Sequence, residues 1–227
     1  VELARRGCWV ACLSRAGRLP PLDELGSPAR ERLSAYQCDV LDDASVAAAF
    51  RQATEEVGPL VGLVNNAGLH LQGRSERFAT KDFAAVLATN VSALFAVSRE
   101  AFPHLVAAGG GTIVNIGSFF DRLGVPRNAA YAASKAAVGA ITRCLAVEWA
   151  PQQIRVVNVA PGYIESDLNQ KYLSLPGTRD YLRGRIPVGR PGTPEEVARL
   201  VAALLHEDIP FLTGATVYLD GGQSIAH

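Results

Sequence analysis

The sequence predicts an α/β fold, a doubly wound parallel sheet with helices on both faces. Short apolar runs rich in β-branched residues alternate with longer stretches of helical character. The strand candidates are apolar on both faces, as is typical of a parallel sheet that helices cover on both sides. This alternation favours right-handed βαβ units. No internal repeat or linker interrupts the chain, so residues 1–227 are predicted to form a single domain.

The predicted elements follow one another in regular alternation. Strands are predicted at 8–14, 33–38, 60–65, 111–117, 154–160 and 216–220, and helices at 43–57, 82–107, 131–150 and 194–206. Asp42 and Asp43 are candidate caps for the first of these helices. The last helix begins with "TPEEVA", in which Thr193 is the cap, Pro194 the first helical residue and Glu196 the third residue after the cap.

The composition argues against several classes of function. The chain has 22 Lys and Arg residues against 22 Asp and Glu residues, so no net charge favours nucleic acid or an acidic membrane surface. Charges interrupt the longest apolar stretches, so no membrane span is predicted. The cysteines form no CxxC pair and the histidines are scattered, so no metal site is predicted. Unpaired thiols beside apolar strands predict a reduced, cytoplasmic protein.

The first residues predict the end of a helix. "VELARRG" places Gly7 where a glycine commonly closes a helix, and the chain contains no methionine. We infer that the native N-terminus is missing from this sequence.

Three short motifs follow three successive predicted strands. They are "NNAG" (65–68), "GS" (117–118) and "APGYI" (160–164). Ligands in doubly wound sheets bind beyond the carboxyl ends of the strands. Any one of these motifs alone is an ordinary strand-to-helix turn, but three in series predict a binding site.

A fourth motif, "YAASK" (131–135), lies in a predicted helix. Tyr131 and Lys135 are four residues apart, so their side chains lie one above the other on the same helix face. A tyrosine needs a nearby cation if it is to act as an acid near neutral pH, because its free pKa is about 10. A lone pair of this kind is also compatible with an ordinary surface Tyr and Lys.

Taken together, these motifs resemble the short-chain dehydrogenase/reductase family from Val1 to about Gly222. The matching stretches are "CDV" (38–40), "NNAG", "TNVSALF" with Asn90, Ser118, "YAASK", "APGYI" and "LTGATVYLDGG" (212–222). Ser118 precedes Tyr131 by 13 positions, the customary spacing in the family. Within the family the chain is similar to bacterial 3-oxoacyl-ACP reductases and to sugar or polyol dehydrogenases.

The resemblance implies a Rossmann-type fold and an NAD(P)(H)-dependent oxidoreductase that interconverts a carbonyl and a secondary alcohol. Tyr131 is implied as the general acid in reduction and the base in oxidation. Lys135 would lower the pKa of Tyr131 and hold the ribose of the coenzyme. Ser118 would hydrogen-bond the substrate carbonyl, and Asn90 would position a water that links Lys135 to solvent. The alternative is a non-catalytic cofactor-binding or regulatory protein of the same fold.

The resemblance also implies the coenzyme contacts. They are Ser14, Arg15, Asp39, Val40, Asn66, Ala67, Gly68, Tyr131, Lys135, Pro161, Gly162, Ile164 and Ser166. Arg15 lies where NAD-preferring members carry an acid, and a guanidinium can clamp a 2′-phosphate. NADP(H) is therefore favoured, with NAD(H) and a surface arginine as the alternatives. Family members begin with a strand and a glycine-rich turn, and both are expected to precede residue 1.

The implied partners are a small-molecule carbonyl or alcohol and further copies of the chain. The substrate, whether a sugar, an acyl thioester or a small ketone, is expected against residues 119–128 and 165–187. There Phe119 and Phe120 suggest an apolar wall, while five arginines could meet an anion, namely Arg122, Arg127, Arg179, Arg183 and Arg185. A homotetramer, or a homodimer, is implied, in which the helices at 82–107 and 131–150 pair across a two-fold axis.

Overall fold

A computed structural model describes residues 1–19, 26–166 and 170–226. The helices are α1 (Glu2–Arg5), α2 (Ser27–Arg30), α3 (Asp43–Val57), α4 (Thr80–Leu87), α5 (Ala93–Ala107), α6 (Ala129–Trp149), α7 (Gln170–Leu173), α8 (Thr178–Arg185) and α9 (Pro194–His206). The strands are β1 (Val10–Ser14), β2 (Leu33–Gln37), β3 (Gly62–Asn65), β4 (Gly111–Ile116), β5 (Ile154–Pro161) and β6 (Thr216–Leu219). All six predicted strands and all four predicted helices are present.

Every strand pair is parallel, which confirms the predicted class of sheet. β1 pairs with β2, and β3, β4, β5 and β6 follow one another in a second group. Among the described residues, no backbone ladder joins β1 to β3. The described strands therefore form two parallel groups and not one continuous sheet.

Helices cover both faces of the four-stranded group, as predicted. On one face Ile113 and Val156 are fully buried in a cluster to which α3, α5 and α6 contribute. On the other face Val114 and Val157 are fully buried in a cluster with residues of α9. Because neighbours along a strand point to opposite faces, apolar residues at consecutive positions are what a doubly covered strand requires. Burying each such side chain contributes about 1.5–3 kcal/mol.

The two helices with clear caps begin where the sequence predicts. Asp42, rather than Asp43, caps α3, and its carboxylate accepts a hydrogen bond from the Ala44 amide. Thr193 and Glu196 form the predicted capping box at the start of α9. Each cap satisfies amide groups that the first turn of a helix cannot satisfy internally.

A row of buried asparagines crosses the sheet near the carboxyl ends of the strands. Asn65, Asn115 and Asn158 are in register on β3, β4 and β5. The Asn65 Nδ2 donates to Asn115 Oδ1 at 2.9 Å, and the Asn115 Nδ2 donates to Thr142 Oγ1 of α6 at 2.9 Å. A buried amide without a partner would cost about 1–3 kcal/mol, so these bonds fix both the register and the position of α6.

The predicted helix at 82–107 is a continuous helical stretch with an irregular centre. α4 and α5 are joined by a π-helical turn over Ala88–Ser92, which carries Asn90. A π turn inserts a residue into the i→i−4 ladder and commonly occurs at functional sites. The sequence shows no sign of it, because Ala, Thr, Asn and Val fit an ordinary helix equally well in this place.

The same stretch, Thr80–Ala107, is long and apolar enough to cross a membrane by length and composition, contrary to the prediction that no stretch would be. In the structure α5 packs against β3, β4 and α3, and α4 packs against α6. Length and composition alone do not distinguish a membrane span from a helix that covers a sheet.

Candidate active site

Tyr131 and Lys135 lie on the first two turns of α6, where β4 ends. The Lys135 Nζ is 5.6 Å from the centroid of the Tyr131 ring. It donates a 2.7 Å hydrogen bond to the carbonyl oxygen of Ile116, the last residue of β4. Lys135 is only 6% exposed, and burial lowers the pKa of its ammonium to about 8. The predicted pair is therefore brought together at the carboxyl end of a strand.

Ser118 lies beside Tyr131, as the family resemblance implies. The Ser118 Oγ accepts from the Phe120 amide at 3.3 Å. Burial raises the pKa of Tyr131, while the neighbouring Ser118 hydroxyl acts in the opposite direction. The expected lowering of the Tyr131 pKa by Lys135 is not found with the residues described, because desolvation of the phenol dominates.

Asn90 joins two segments of the site. Its Oδ1 accepts from the Leu69 amide at 2.7 Å, and its Nδ2 donates to the Leu69 carbonyl at 2.9 Å and to Ser134 Oγ at 3.0 Å. Ser134 in turn donates to the Tyr131 carbonyl at 2.7 Å. Asn90 therefore ties the segment after β3 to the start of α6. Whether it also positions a water stays a prediction.

The predicted coenzyme contacts at the ends of β1 and β2 form a turn. The Ser14 carbonyl accepts from the Gly17 and Cys38 amides, and the Ser14 Oγ is buried without a partner in the described part of the chain. Arg15 is exposed. The Asp39 carboxylate accepts from the Leu41 amide at 3.0 Å through one oxygen. Val40 packs against the core beside it.

The other predicted coenzyme contacts follow β3 and β5. Asn66, Ala67 and Gly68 are exposed directly after β3. A Cβ added at Gly68 would lie 3.5 Å from Asn90 Oδ1 and 3.9 Å from Lys135 Nζ, so this backbone borders the catalytic side chains. From the last residue of β5 onward the predicted contacts run in order along one segment, namely Pro161, Gly162, Ile164 and Ser166.

At Gly162 the backbone passes close to the C-terminal segment, because a Cβ there would lie 2.7 Å from the Asp220 Cα. Ile164 bridges to Gly192. Residues 167–169 of the predicted substrate segment lie outside the described residues.

The predicted apolar wall is aromatic on several sides. Phe119 and Phe120 are buried, and the Phe120 ring meets the Tyr131 ring edge-on with centroids 5.8 Å apart. Tyr163 contacts both phenylalanines, at 5.4 and 6.2 Å, and stacks on Tyr172 at 5.8 Å. Burial raises the pKa of Tyr163 to about 12, so its phenol stays protonated.

Most of the arginines that could have met an anion are engaged elsewhere. Arg122 lies 4.0 Å from the centroid of the Tyr218 ring, and Arg185 lies 5.7 Å from that of Tyr181. Two further arginines form ion pairs: Arg179 lies 3.0 Å from Glu165, and Arg183 lies 3.9 Å from Asp180. The structure thus favours the apolar interpretation of this segment over the anionic one.

Sequence reasoning missed two residues of the site. His70 is one of the histidines scattered along the sequence, yet its ring centroid lies 4.5 Å from that of Tyr131. Ser134, inside "YAASK", links Asn90 to the Tyr131 carbonyl. The position of His70 two residues after "NNAG", at a strand end, was the signal that could have found it.

The chain is similar to known oxidoreductases over nearly its whole length. A family model described as enoyl-(acyl carrier protein) reductase matches residues 1–224. A protein of Xanthobacter autotrophicus named inactive 2-(S)-hydroxypropyl-CoM dehydrogenase 2 is 35% identical over 97% of this chain and 96% of its own. The 3-oxoacyl-[acyl-carrier-protein] reductase of Thermotoga maritima is 34% identical over 86% of this chain and 78% of its own.

A solved structure shares the fold. The gluconate 5-dehydrogenase of Burkholderia cenocepacia, in complex with NADP and tartrate, is 30% identical, with a TM-score of 0.88 over 100% of this chain and 91% of that one. The family match, the curated relatives and the fold agree with the motifs that carry the resemblance. The chain belongs to the short-chain dehydrogenase/reductase family of oxidoreductases, which act on CH–OH and C=O groups.

Proposed function

We propose that the protein is an NADP(H)-dependent oxidoreductase that interconverts a ketone and a secondary alcohol, with Tyr131 as general acid and base. The observation that carries the proposal is the arrangement of the buried Ser118 and Lys135 with the half-buried Tyr131 at the end of β4. Burying an ammonium beside a phenol is costly, and the residues would gain nothing from it in a merely structural role.

Each polar side chain has one task in this proposal. Tyr131 holds the proton at its hydroxyl and gives it to the carbonyl oxygen in reduction. Ser118 donates a hydrogen bond to the same oxygen and stabilises the negative charge that develops on it. Asn90 holds Leu69 and, through Ser134, the first turn of α6. The aromatic rings of Phe119, Phe120 and Tyr163 exclude water from the phenol.

The residues present fit a nicotinamide coenzyme, which supplies or accepts the hydride when bound. The buried Ser14 Oγ, which has no partner among the residues that the structure describes, suits a ligand hydroxyl or phosphate at the end of β1. The second oxygen of Asp39 suits the adenine amino group. Lys135 uses one N–H on Ile116 among the described residues, and an ammonium has three, so it can also hold ribose hydroxyls.

The preference for NADP(H) rests on Arg15. It is exposed directly after β1, next to Ser14, and a related dehydrogenase of known structure binds NADP. A guanidinium can form two parallel hydrogen bonds to a 2′-phosphate, which NAD lacks.

We therefore expect the purified protein to use NADPH more efficiently than NADH, and Arg15→Ala to narrow the difference. Loss of a charge-assisted pair costs about 1.5–3 kcal/mol, which corresponds to about a 10- to 150-fold change in the ratio of the two kcat/KM values. Arg18→Ala, an exposed arginine three residues later, is the matched control. Equal efficiency with both coenzymes in the parent protein would contradict the assignment.

The substrate that the site suits best is a ketone with an apolar or aromatic substituent. Rings of Phe119, Phe120 and Tyr163 form one continuous group with Tyr131, while neighbouring arginines are paired or stacked. Apolar and aromatic surfaces supply most of the contact area in small-molecule sites.

The test of the proposed function is coenzyme oxidation at 340 nm with paired ketones, one carrying a phenyl or alkyl group and one a polyhydroxylated chain. We expect turnover with the panel and a higher kcat/KM for the apolar member of each pair. The second candidate, a non-catalytic protein of this fold, is favoured by the relative that is named inactive. Coenzyme binding without turnover of any carbonyl would support that candidate.

The proposal includes assembly into a homotetramer or a homodimer through α5 and α6. The outer face of α6 is a stripe of exposed small and apolar side chains, namely Ala133, Ala136, Ala140, Cys144 and Val147. Val147 is 79% exposed, and Phe95 and Val106 of the neighbouring α5 are 43% and 42% exposed. A helix that covers a sheet on one side only would carry polar residues there, so this surface suits a second copy of the chain.

Light scattering on the purified protein at micromolar concentration is expected to give the mass of a tetramer or a dimer. Val147→Glu should shift the population toward monomers, because it would bury a charge within the contact. Glu148→Gln on the same turn is the control. A monomeric parent protein would refute the proposed interface.

The cytoplasmic location stays a prediction, and all four cysteines are free thiols.

A further inference from the structure

His70 contacts the ring of Tyr131 from the segment that follows β3. The two ring centroids are 4.5 Å apart, with an angle of 48° between the planes. His70 follows Leu69, whose amide and carbonyl are both held by Asn90. The position of the imidazole is thus fixed on its chain side by the buried Asn90.

A second contact fixes the far side of the imidazole. The His70 Nε2 lies 2.6 Å from the Asn128 Oδ1. The Asn128 Nδ2 donates to the Pro126 carbonyl at 2.9 Å, which sets the orientation of the amide. Because an amide oxygen only accepts, the Nε2 of His70 must carry the hydrogen. Asn128 is 6% exposed and immediately precedes α6.

The backbone that presents Asn128 is held in an uncommon conformation. Arg127 has a φ of 69°, in the left-handed region that a non-glycine residue rarely adopts. Its carbonyl accepts a 3.0 Å hydrogen bond from the Gly73 amide, which lies three residues after His70. The two segments that carry His70 and Asn128 are therefore clamped together by their backbones as well as by their side chains.

Two rings contact the ring of Tyr131. Phe120 meets it edge-on at 5.8 Å, and His70 packs against it at 4.5 Å. Among the described contacts of this ring, the titratable neighbours are Lys135 on the same helix and His70 on the segment after β3. We propose that His70 is a positioning residue, which Asn90 and Asn128 hold in place and which fixes the Tyr131 phenol for proton transfer.

The expected effect follows from the geometry. Proton transfer needs the donor and acceptor oxygens within about 2.6–3.2 Å, and a misplacement of about 1 Å can cost about 100-fold in rate. Without the imidazole, the Tyr131 ring can turn about its side-chain bonds, and water can reach the phenol. This inference rests on the proposed role of Tyr131 as the acid and base.

The test compares His70→Ala, His70→Phe and Asn128→Ala in the whole protein. We expect His70→Ala to lower kcat about 10- to 100-fold, with the coenzyme dissociation constant, measured by fluorescence titration, within about twofold of the parent. His70→Phe keeps a ring against Tyr131 and should restore most of kcat. Asn128→Ala releases the imidazole and should give a smaller loss. The Asn128 side chain caps no amide of α6, so this variant leaves the helix end intact.

A pH profile separates positioning from a merely structural role. Burial raises the pKa of Tyr131, so hydrating the phenol in His70→Ala should shift the rise of kcat for alcohol oxidation to lower pH. His70→Phe should keep the parent profile, and His206→Ala, an exposed histidine on α9, is the control.

Three results would overturn the inference. The first is an unchanged kcat in His70→Ala. The second is a loss of kcat in His70→Ala that His70→Phe fails to restore. The third is a loss of kcat in His70→Ala that comes with losses of both coenzyme affinity and melting temperature. If His70→Ala does not fold, kcat and its pH profile are compared between His70→Phe and Asn128→Ala. An Asn128→Ala protein with the parental kcat and pH profile would then overturn the inference. If Tyr131→Phe is inactive while His70→Ala is fully active, this inference fails and the proposed function stands.

Discussion

Replacement of Tyr131 by phenylalanine is expected to remove nearly all turnover while leaving coenzyme affinity close to that of the parent protein. The change deletes one oxygen atom and keeps the ring that packs against His70 and Phe120. A positioned general acid contributes about 10²–10⁴-fold to the rate, and this is the loss expected in kcat. The Ser118 hydroxyl loses its neighbouring phenol oxygen and stays able to bond water or substrate.

The measurement is single-turnover and steady-state oxidation of NADPH with the best ketone of the panel, together with a fluorescence titration of the coenzyme. Tyr36→Phe on β2 loses the same atom, from a hydroxyl that donates to Glu56 and contacts none of Ser118, Tyr131 and Lys135, and serves as the control. Retention of more than about a tenth of the parental kcat in Tyr131→Phe would contradict the role of general acid and base.

Much of the fold could be predicted because local signals and tertiary packing agree. The bounds predicted for α3 and α9 match the structure, since each helix begins at a strong cap. The strands are apolar on both faces, and this pattern has few structural solutions other than a parallel sheet between helices. The short helix α8 was missed because "GTRDYLRGR" has high polarity and two glycines, and the burial of its Leu182 depends on contacts with Leu173 and Ile186.

The candidate site was predicted where it depends on spacing within one element, and missed where it depends on contacts between elements. Tyr131 and Lys135 meet because four residues make one helical turn. His70 contacts Tyr131 only because Asn90 and Asn128, which are both distant from it in sequence, hold Leu69 and His70 in place. The π turn that carries Asn90 likewise arises from packing, since its residues have no preference for that geometry. The reversed direction of the Tyr131 pKa has the same origin, because burial is a tertiary property.

Replacement of Lys135 by methionine is expected to damage turnover and coenzyme binding together. Methionine is similar in length and apolar, so it fits the buried position without a charge. If the ammonium holds the ribose hydroxyls, its loss should weaken coenzyme binding by about 1.5–3 kcal/mol, or about 10- to 150-fold. Lys81→Met, on the exposed face of α4, is the control. An unchanged coenzyme dissociation constant would remove the ribose role, whatever happened to the rate.

The same variant has a second consequence, for the dependence of stability on pH. Burial lowers the pKa of Lys135 from 10.5 to about 8, so between these values the unfolded chain holds a proton that the folded chain has released. Stability therefore rises with pH across this window, and the full cost of burying the ammonium is present below it. Tyr131 acts in the opposite direction above its ordinary pKa of 10, because its raised pKa keeps the proton on the folded protein.

Because Tyr131 is present in both proteins, the difference between the parent and Lys135→Met isolates the lysine. At pH 7 the variant should be more stable than the parent, by on the order of 2 kcal/mol, since no charge is buried. The difference should shrink as the pH rises from 8 to 10.5, where the parent lysine becomes neutral in the folded state. The free energy of unfolding in urea, measured for both proteins from pH 7 to 10, tests this. Parallel curves, or a less stable variant at pH 7, would show that the Lys135 ammonium is stabilised by its bond to Ile116 more than burial penalises it.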